Sequence, residues 1–357
     1  MIINVQEFKK VLSLAGPFLM TQDFIPILQH FWFRNNTIMA YNDIQAIKLE
    51  FNTQLNCAVP GILLVKVLNT LSQTDVEIKI DSSATNLLIG EGRNQTRIPI
   101  MSADNFIFEM PNLDGLTFTV ENSFHTGLEK CLKVVSHDPT KPERNGVTCK
   151  IIKDVLTLYA SDGIAIAKYQ QPGSYQVDDL EEIVCIIPTF FCEQLTTLLK
   201  NSKAGATITL TPDSILAEIN NDQIFSKVIN ASIPKFEQAI QKVIQGHLND
   251  LTYIPVPLEL ESFMERAKIM LQPEKGIKYT TIVLKRSGEI QFKTSSDKGR
   301  SYDEIESPFV RDSDETHQTN PTHLQIACML CNEYVLKNGV FIFRHSEQEF
   351  WLLVSMR

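Results

Sequence analysis

The feature that most constrains this chain is a helix-and-strand unit of about 120 residues that recurs three times. Helix-like segments open successive thirds. The first covers residues 5–14, with Val5, Phe8, Leu12 and Ala15 at helical spacing. The second covers 124–135, with Phe124, Leu128, Cys131, Leu132 and Val135 on one side, and the third covers 258–270. Another helix in each third begins at a proline, at Pro60, Pro188 and Pro321, where the missing N–H suits the first helical position. Between the helices lie alternating stretches that predict strands, at 31–34 and 38–41, 147–152 and 155–159, and 281–285 and 289–293. The loops after them carry Asp43, Asp162 and Asp297, read as turn formers through side-chain bonds to backbone N–H groups.

Each repeat therefore reads as an α+β layer with antiparallel sheet on one side and two helices on the other. Turn-rich joints at Asn112-Leu-Asp-Gly and Gln245-Gly-His-Leu-Asn-Asp divide the chain into repeats 1–118, 119–247 and 248–357. Such a plan suits a scaffold better than a single catalytic cleft.

A hydrophobic fraction of 43% with 21% charged residues is ordinary globular material, enough for a core in each repeat. The opening residues lack the order of a signal peptide, and no apolar run reaches the roughly 18 residues needed to cross a bilayer, so the cytoplasm is expected. The seven cysteines lie mostly inside apolar runs, as buried thiols in a reducing compartment do. Cys328 and Cys331 form a CxxC with no second pair, and the i, i+3 spacing is also that of a buried helix face.

Chemistry has no visible home. The chain holds no phosphate loop, no GxGxxG after a strand, no HExxH and no GxSxG. None of its seven histidines lies four residues from another. His137-Asp138 reads as surface loop, because adjacent extended residues point apart, and a hydrolase built on that pair is disfavoured. Glu181-Glu182 and Asp303-Glu304 read as solvated charge in polar connections. Neither enzymatic activity, nor a metal, nor a cofactor is expected.

The net charge of −9 argues against a protein that coats nucleic acid, but not against one that encloses it, since only the lining must then suit phosphates. Cations recur on the helix segments of all three repeats: Lys9, Lys10, Lys66, Lys130, Lys133, Lys200, Lys203, Arg266, Lys268 and Lys337. They are read as one shared phosphate-facing surface.

The run Phe24-Ile-Pro-Ile-Leu-Gln-His, the loop at Tyr41-Asn-Asp43, the helix from Pro60, the segment Leu156-Thr-Leu-Tyr-Ala-Ser-Asp162-Gly-Ile-Ala-Ile-Ala167 and the ending Leu352-Leu-Val-Ser-Met-Arg357 resemble the beta subunit of bacterial DNA polymerase III, the sliding clamp. The resemblance covers essentially the whole chain. It implies a head-to-tail homodimer, a ring of six units with helices lining a hole around double-stranded DNA, held without sequence preference. It also implies binding of the polymerase and the clamp loader through short peptides. A non-ring scaffold of the same fold, gathering partners without encircling DNA, is the alternative.

By the same resemblance, the partner-peptide pocket would use Ser161, Gly163, Ile164, Ile166, Pro234, Gln238, Ala239, Leu352, Val354, Ser355, Met356 and Arg357. Ring closure would join an outer strand around Phe106, Ile107 and Phe108 to Ile269, Met270 and Leu271. Two departures fall in the pocket. The family commonly has Gly-His-Arg-Leu where this chain has Gly163-Ile-Ala-Ile166, and Met-Pro-Met-Arg where it has Val354-Ser-Met-Arg357. They point to altered peptide preference and to a dedicated partner, such as one encoded by a phage or plasmid, in bacterial or host cytoplasm.

Overall fold

The computed structural model describes residues 1–20, 25–92, 94–106, 108–173, 175, 182–272, 278–309 and 312–357. Seven α-helices lie among them: α1 (Val5–Ala15), α2 (Gly61–Asn69), α3 (Phe124–Leu132), α4 (Thr189–Ser202), α5 (Phe236–Ile244), α6 (Leu260–Met270) and α7 (Pro321–Leu330). Six are the helices that the periodicity predicts, and α5 is additional. In α1 the expected stripe of Val5, Phe8, Leu12 and Ala15 is buried, and the Asn4 side chain accepts from the N–H groups of Gln6 and Glu7, both at 3.1 Å. Of the three prolines only Pro321 occupies the first helical position, behind the Asn320 cap. Pro60 and Pro188 each end a strand one residue earlier, where the extended backbone tolerates the fixed φ.

The chain forms two compact units, one from Met1–His125 with Phe190–Val228 and the other from Thr126–Thr189 with Ile229–Arg357. The first unit holds a small sheet in the order β1 (Ile2–Asn4), β6 (Asp75–Ile80), β7 (Asn86–Glu91), β8 (Asn94–Pro99). It also holds a nine-stranded sheet: β10 (Leu116–Val120), β15 (Ala206–Leu210), β16 (Ser214–Ile219), β17 (Asp222–Lys227), β4 (Gln45–Glu50), β3 (Thr37–Tyr41), β2 (His30–Arg34), β5 (Cys57–Pro60), β9 (Met101–Ser102).

The second unit has an eight-stranded sheet: β14 (Glu182–Pro188), β11 (Gly146–Ile152), β12 (Val155–Ser161), β13 (Ala165–Pro172), β25 (Phe350–Ser355), β24 (Val340–His345), β23 (Glu333–Lys337), β18 (Ile254–Pro255). Its small sheet runs β21 (Gly299–Glu306), β20 (Glu289–Ser296), β19 (Thr280–Leu284), β22 (Glu315–Thr319).

The repeats therefore do not own their sheets. The large sheet of the first unit joins repeats one and two where β4 pairs antiparallel with β17, Ile47 opposite Ile224. That of the second joins repeats two and three where β13 pairs with β25, Ile166 opposite Leu353. Repeats one and three each keep a four-stranded remainder. The boundary expected at residue 118 falls inside β10. Asp303 and Glu304, expected in a connection, lie in β21, and Glu182 lies in β14; Glu181 is outside the described residues.

One face of each large sheet is apolar cover for helices. In the first unit α1 meets β3 and β4 while α2 meets β2 and β5, around Phe8, which stacks on Phe51 at 5.3 Å and tilts against Phe33 at 6.0 Å. In the second unit α7 meets β24 and β25, and α6 meets β20 and β21. Among the described residues no helix is long and apolar enough to cross a membrane.

Candidate functional site

The tight turn between β12 and β13 builds one side of a cleft in the second unit. Asp162 Oδ1 accepts from the N–H groups of Ile164 and Ala165 at 2.9 and 3.0 Å, the side-chain turn expected at this aspartate. Ser161 Oγ accepts from Gly163 N–H at 3.0 Å and donates to Ala165 O at 2.7 Å. Gly163 has φ +94°, a left-handed conformation that favours glycine, and the Arg144 guanidinium packs into the space that a Cβ would take. The outer oxygen of Asp162 pairs with His323 Nε2 of α7 at 2.6 Å. Burial alone would raise this carboxyl, but the bonds from His323 and the two backbone N–H groups outweigh it and hold the pKa below the usual range.

The turn logic repeats in the first unit one residue earlier than expected. There Asn42 accepts from Ile44 and Gln45, and Asp43 takes the positive φ of +75° that Gly163 takes in the second. In the third repeat Ser296 Oγ accepts from Lys298 N–H at 3.1 Å.

The opposite wall of the cleft is α5. Phe236, Ile240 and Ile244 recur every four residues and bury against Tyr159, Ile342, Trp351 and Leu353. That leaves Ala239 and Val243, on a neighbouring stripe, to face the opening. The cleft has a volume of about 350 Å³. Of the expected residues, Ser161, Gly163, Ile164, Ile166, Pro234, Ala239 and Ser355 line it. Gln238 lines an adjoining depression instead.

Leu352 and Val354 are corrections. Alternate residues of a strand point to opposite faces, and in β25 these two are fully buried on the far side, so Leu353 and Ser355 form the floor. Met356 and Arg357 lie off the cleft too. Met356 is buried, and Arg357 exchanges backbone bonds with Gln318 while its guanidinium sits 5.4 Å from the Tyr279 ring.

Sequence reasoning missed Arg144, Lys235, Phe236, Val243, Val340 and Leu353 in the lining. The repeated i, i+4 apolar pattern after Pro234 was the available signal for α5. Arg144 and Lys235 give an otherwise apolar cleft two cations.

The first unit carries the same framework with the opening filled. Lys227 N–H donates to Ile44 O at 3.1 Å, as Ser355 N–H donates to Ile164 O at 3.1 Å. By that correspondence Ala46 and Phe225 stand where Ile166 and Leu353 stand in the cleft. Over them lies Phe108, stacked on Tyr41 at 4.0 Å and 5.9 Å from Phe225.

Phe108 therefore covers the nine-stranded sheet and is not part of an outer strand. Phe106 likewise stacks on Trp32 at 4.5 Å. Ile107 lies outside the described residues. The edge strands of the first small sheet are β1 and β8. On the other side, Ile269 is 65% exposed at the end of α6, with Met270 and Leu271 half-buried. Lys298 Nζ, at the tip of the β20–β21 hairpin, reaches Leu271 O at 3.3 Å.

The cations divide by environment. Lys10, Lys66 and Lys200 are exposed on helices, Lys9 is half-exposed on α1, and Lys133 and Lys203 are exposed just past α3 and α4. Arg266 and Lys268 are exposed on α6, bonded to Asp303 at 2.5 Å and to Gln325 at 2.5 Å. Lys130 departs from expectation. It is only 7% exposed, bonds Gln348 Oε1 and stands 4.7 Å over the Phe350 ring, and burial lowers its pKa. Lys337 departs as well, since it belongs to β23 and to no helix.

Burial pushes the Cys328 and Cys331 thiols up to about 12, which suits packing and not metal or redox work. Among the described residues no group of three or more His, Cys, Asp or Glu side chains gathers as metal ligands.

Residues 120–235 match the family profile of the DNA polymerase III beta subunit, central domain. A beta sliding clamp of Synechocystis is 23% identical over 204 residues, 52% of this chain and 51% of that protein, so the match spans about half the length of the curated relative. The DNA polymerase III beta subunit of Pseudomonas aeruginosa superimposes over 100% of this chain and 99% of its own, with TM-score 0.84 at 14% identity. That of Thermotoga maritima covers 100% and 98%, with TM-score 0.81 at 19% identity. A sliding clamp of Bartonella birtlesii, solved bound to griselimycin, covers 100% and 99%, with TM-score 0.84 at 17% identity. Residues 120–235 thus match the central-domain profile of the DNA polymerase III beta subunit, and the chain shares the fold of these solved structures from end to end.

Proposed function

We propose that the chain is a sliding clamp, a non-enzymatic processivity factor that closes as a head-to-tail dimer around duplex DNA in the cytoplasm and tethers a polymerase through the α5 cleft. The observation that carries this reading is the pair of half-sized sheets. Four strands remain in repeat one and four in repeat three, against nine and eight where successive repeats share a sheet. Joining the two remainders between copies completes a sheet of ordinary size and removes two free edges.

The edges suit each other. In β8 the bond from Ile100 N–H to Thr85 O sets the parity of the ladder with β7, so the backbone groups of Gln95 and Arg97 point away from it. In β21 the bond from Ser307 N–H to Gly288 O does the same, so Arg300, Tyr302, Glu304 and Glu306 present their backbone outward. Arg97 on one edge and the two glutamates on the other are complementary in sign.

The cleft supports the tethering role. An apolar lining of Ile166, Val243 and Leu353 with a few polar atoms around it fits peptide anchors such as leucine and phenylalanine. Ala239→Trp would fill the opening without touching the core face of α5. A labelled peptide with such anchors, taken from the cognate polymerase, should then bind at least about tenfold more weakly by fluorescence anisotropy. Equal affinity for the two proteins would remove the cleft from the account.

A further inference from the structure

The small sheet of the second unit has two unlike faces. Ile282, Leu284, Phe292 and Ile305 are buried on the face toward α6. On the other, Gln318, Thr281, Lys293 and Tyr302 are successive cross-strand partners and form one row. Ser295 and Arg300 pair in the next row, roughly 7 Å along the strands, and Tyr279 falls beside them by the two-residue period. Together with Lys278 these side chains line a groove of about 620 Å³.

The groove alternates cations with aromatic rings. Lys293 Nζ lies 5.4 Å from the Tyr302 ring, and the Arg357 guanidinium lies 5.4 Å from Tyr279. Tyr302 is 57% exposed, yet its hydroxyl donates to Glu304 at 2.6 Å, which fixes the ring and occupies the nearest carboxylate of the face. Asp303 is turned to the other face, where Arg266 holds it. A net charge of −9 makes this concentration of positive side chains a local departure from the rest of the chain.

Cations spaced along one exposed ring, Tyr302, and one half-buried ring, Tyr279, match the chemistry of an unpaired nucleic-acid strand, whose phosphates meet the charges while its bases stack. A duplex hides its base faces, and an acidic peptide would use the lysines and leave the tyrosines idle. We propose that this sheet face binds single-stranded nucleic acid without sequence preference. The site shares no residue with the α5 cleft or with the helix cations, and it does not require the ring.

The test is fluorescence anisotropy of a fluorescein-labelled twelve-residue oligothymidylate at low salt. The full chain should bind it, and Lys278→Glu with Lys293→Glu should weaken binding at least about tenfold. Tyr302→Ala should weaken it about fivefold or more, while Tyr302→Phe, which keeps the ring and loses the bond to Glu304, should stay within about twofold of the parent. Melting temperature and mass identify any variant that has lost its fold, and the Phe variant supplies the comparison. No binding by the full chain, or binding that ignores both the lysine and the Tyr302→Ala changes, would overturn the proposal. So would a polyglutamate peptide that competes fully and depends on the lysines but not on Tyr302, since the groove would then serve an acidic polypeptide.

Discussion

Glu304→Pro is expected to leave each chain folded and to convert the proposed dimer into a monomer, with a light-scattering mass near the 40.5 kDa of one chain instead of twice that. The reason lies in the parity of β21. Its ladder to β20 uses the backbone of Ser301, Asp303 and Ile305, so proline at 304 removes an N–H that points to the open edge and spares the bonds within the sheet. The same residue one position earlier would strike the inner ladder and cost roughly 3 kcal/mol or more of stability. Edge pairing tolerates no such gap, because loss of a central bond and the bulk of the pyrrolidine ring both fall on the joint. A melting temperature within a few degrees of the parent, together with the lower mass, is the expected pair of results. A variant that remains dimeric would place the joint elsewhere.

Reversing the charge at Lys10, Lys66, Lys133 and Lys200 together should nearly abolish salt-sensitive holding of duplex DNA. Each phosphate that a lysine no longer neutralises lowers the slope of log affinity against log salt by about 0.9, and every change is present twice in a dimer. Between low and physiological salt, retention should fall by at least about a hundredfold relative to the parent. Lys130 is left out of this set because its ammonium is held by Gln348 and Phe350 within the second unit. Native DNA retention by the fourfold variant would remove the helices from the DNA-facing role.

The repeat was legible because helical periodicity is local. Val5, Phe8, Leu12 and Ala15 announce α1 on their own, and six of the seven described helices were placed by such periodicity or by a proline at their start. The sharing of sheets between repeats was not legible. Which strand lies beside β13 depends on a pairing with β25 nearly two hundred residues away, and alternating sequence in each strand fits many partners.

The site was half legible for the same reason. The turn at Asp162 and Gly163 writes its geometry in its residue types. The parity of β25 is set by a distant neighbour, and a slip of one residue exchanged Leu353 for Leu352 and Val354. Phe106 and Phe108 show the limit of reading apolar residues in a strandless segment. Partner surface and internal cover look alike in sequence, and here Trp32, Tyr41 and Phe225 take them as cover.

Retention on circular DNA tests the ring most directly. The protein, assembled on a nicked circular duplex by its loader and separated from free chain by gel filtration, should travel with the DNA. Cutting the circle once should release it, because a closed ring that slides leaves by a free end. Protein that stays bound after the cut, or never travels with the circle, would contradict the ring and favour a scaffold that does not encircle DNA.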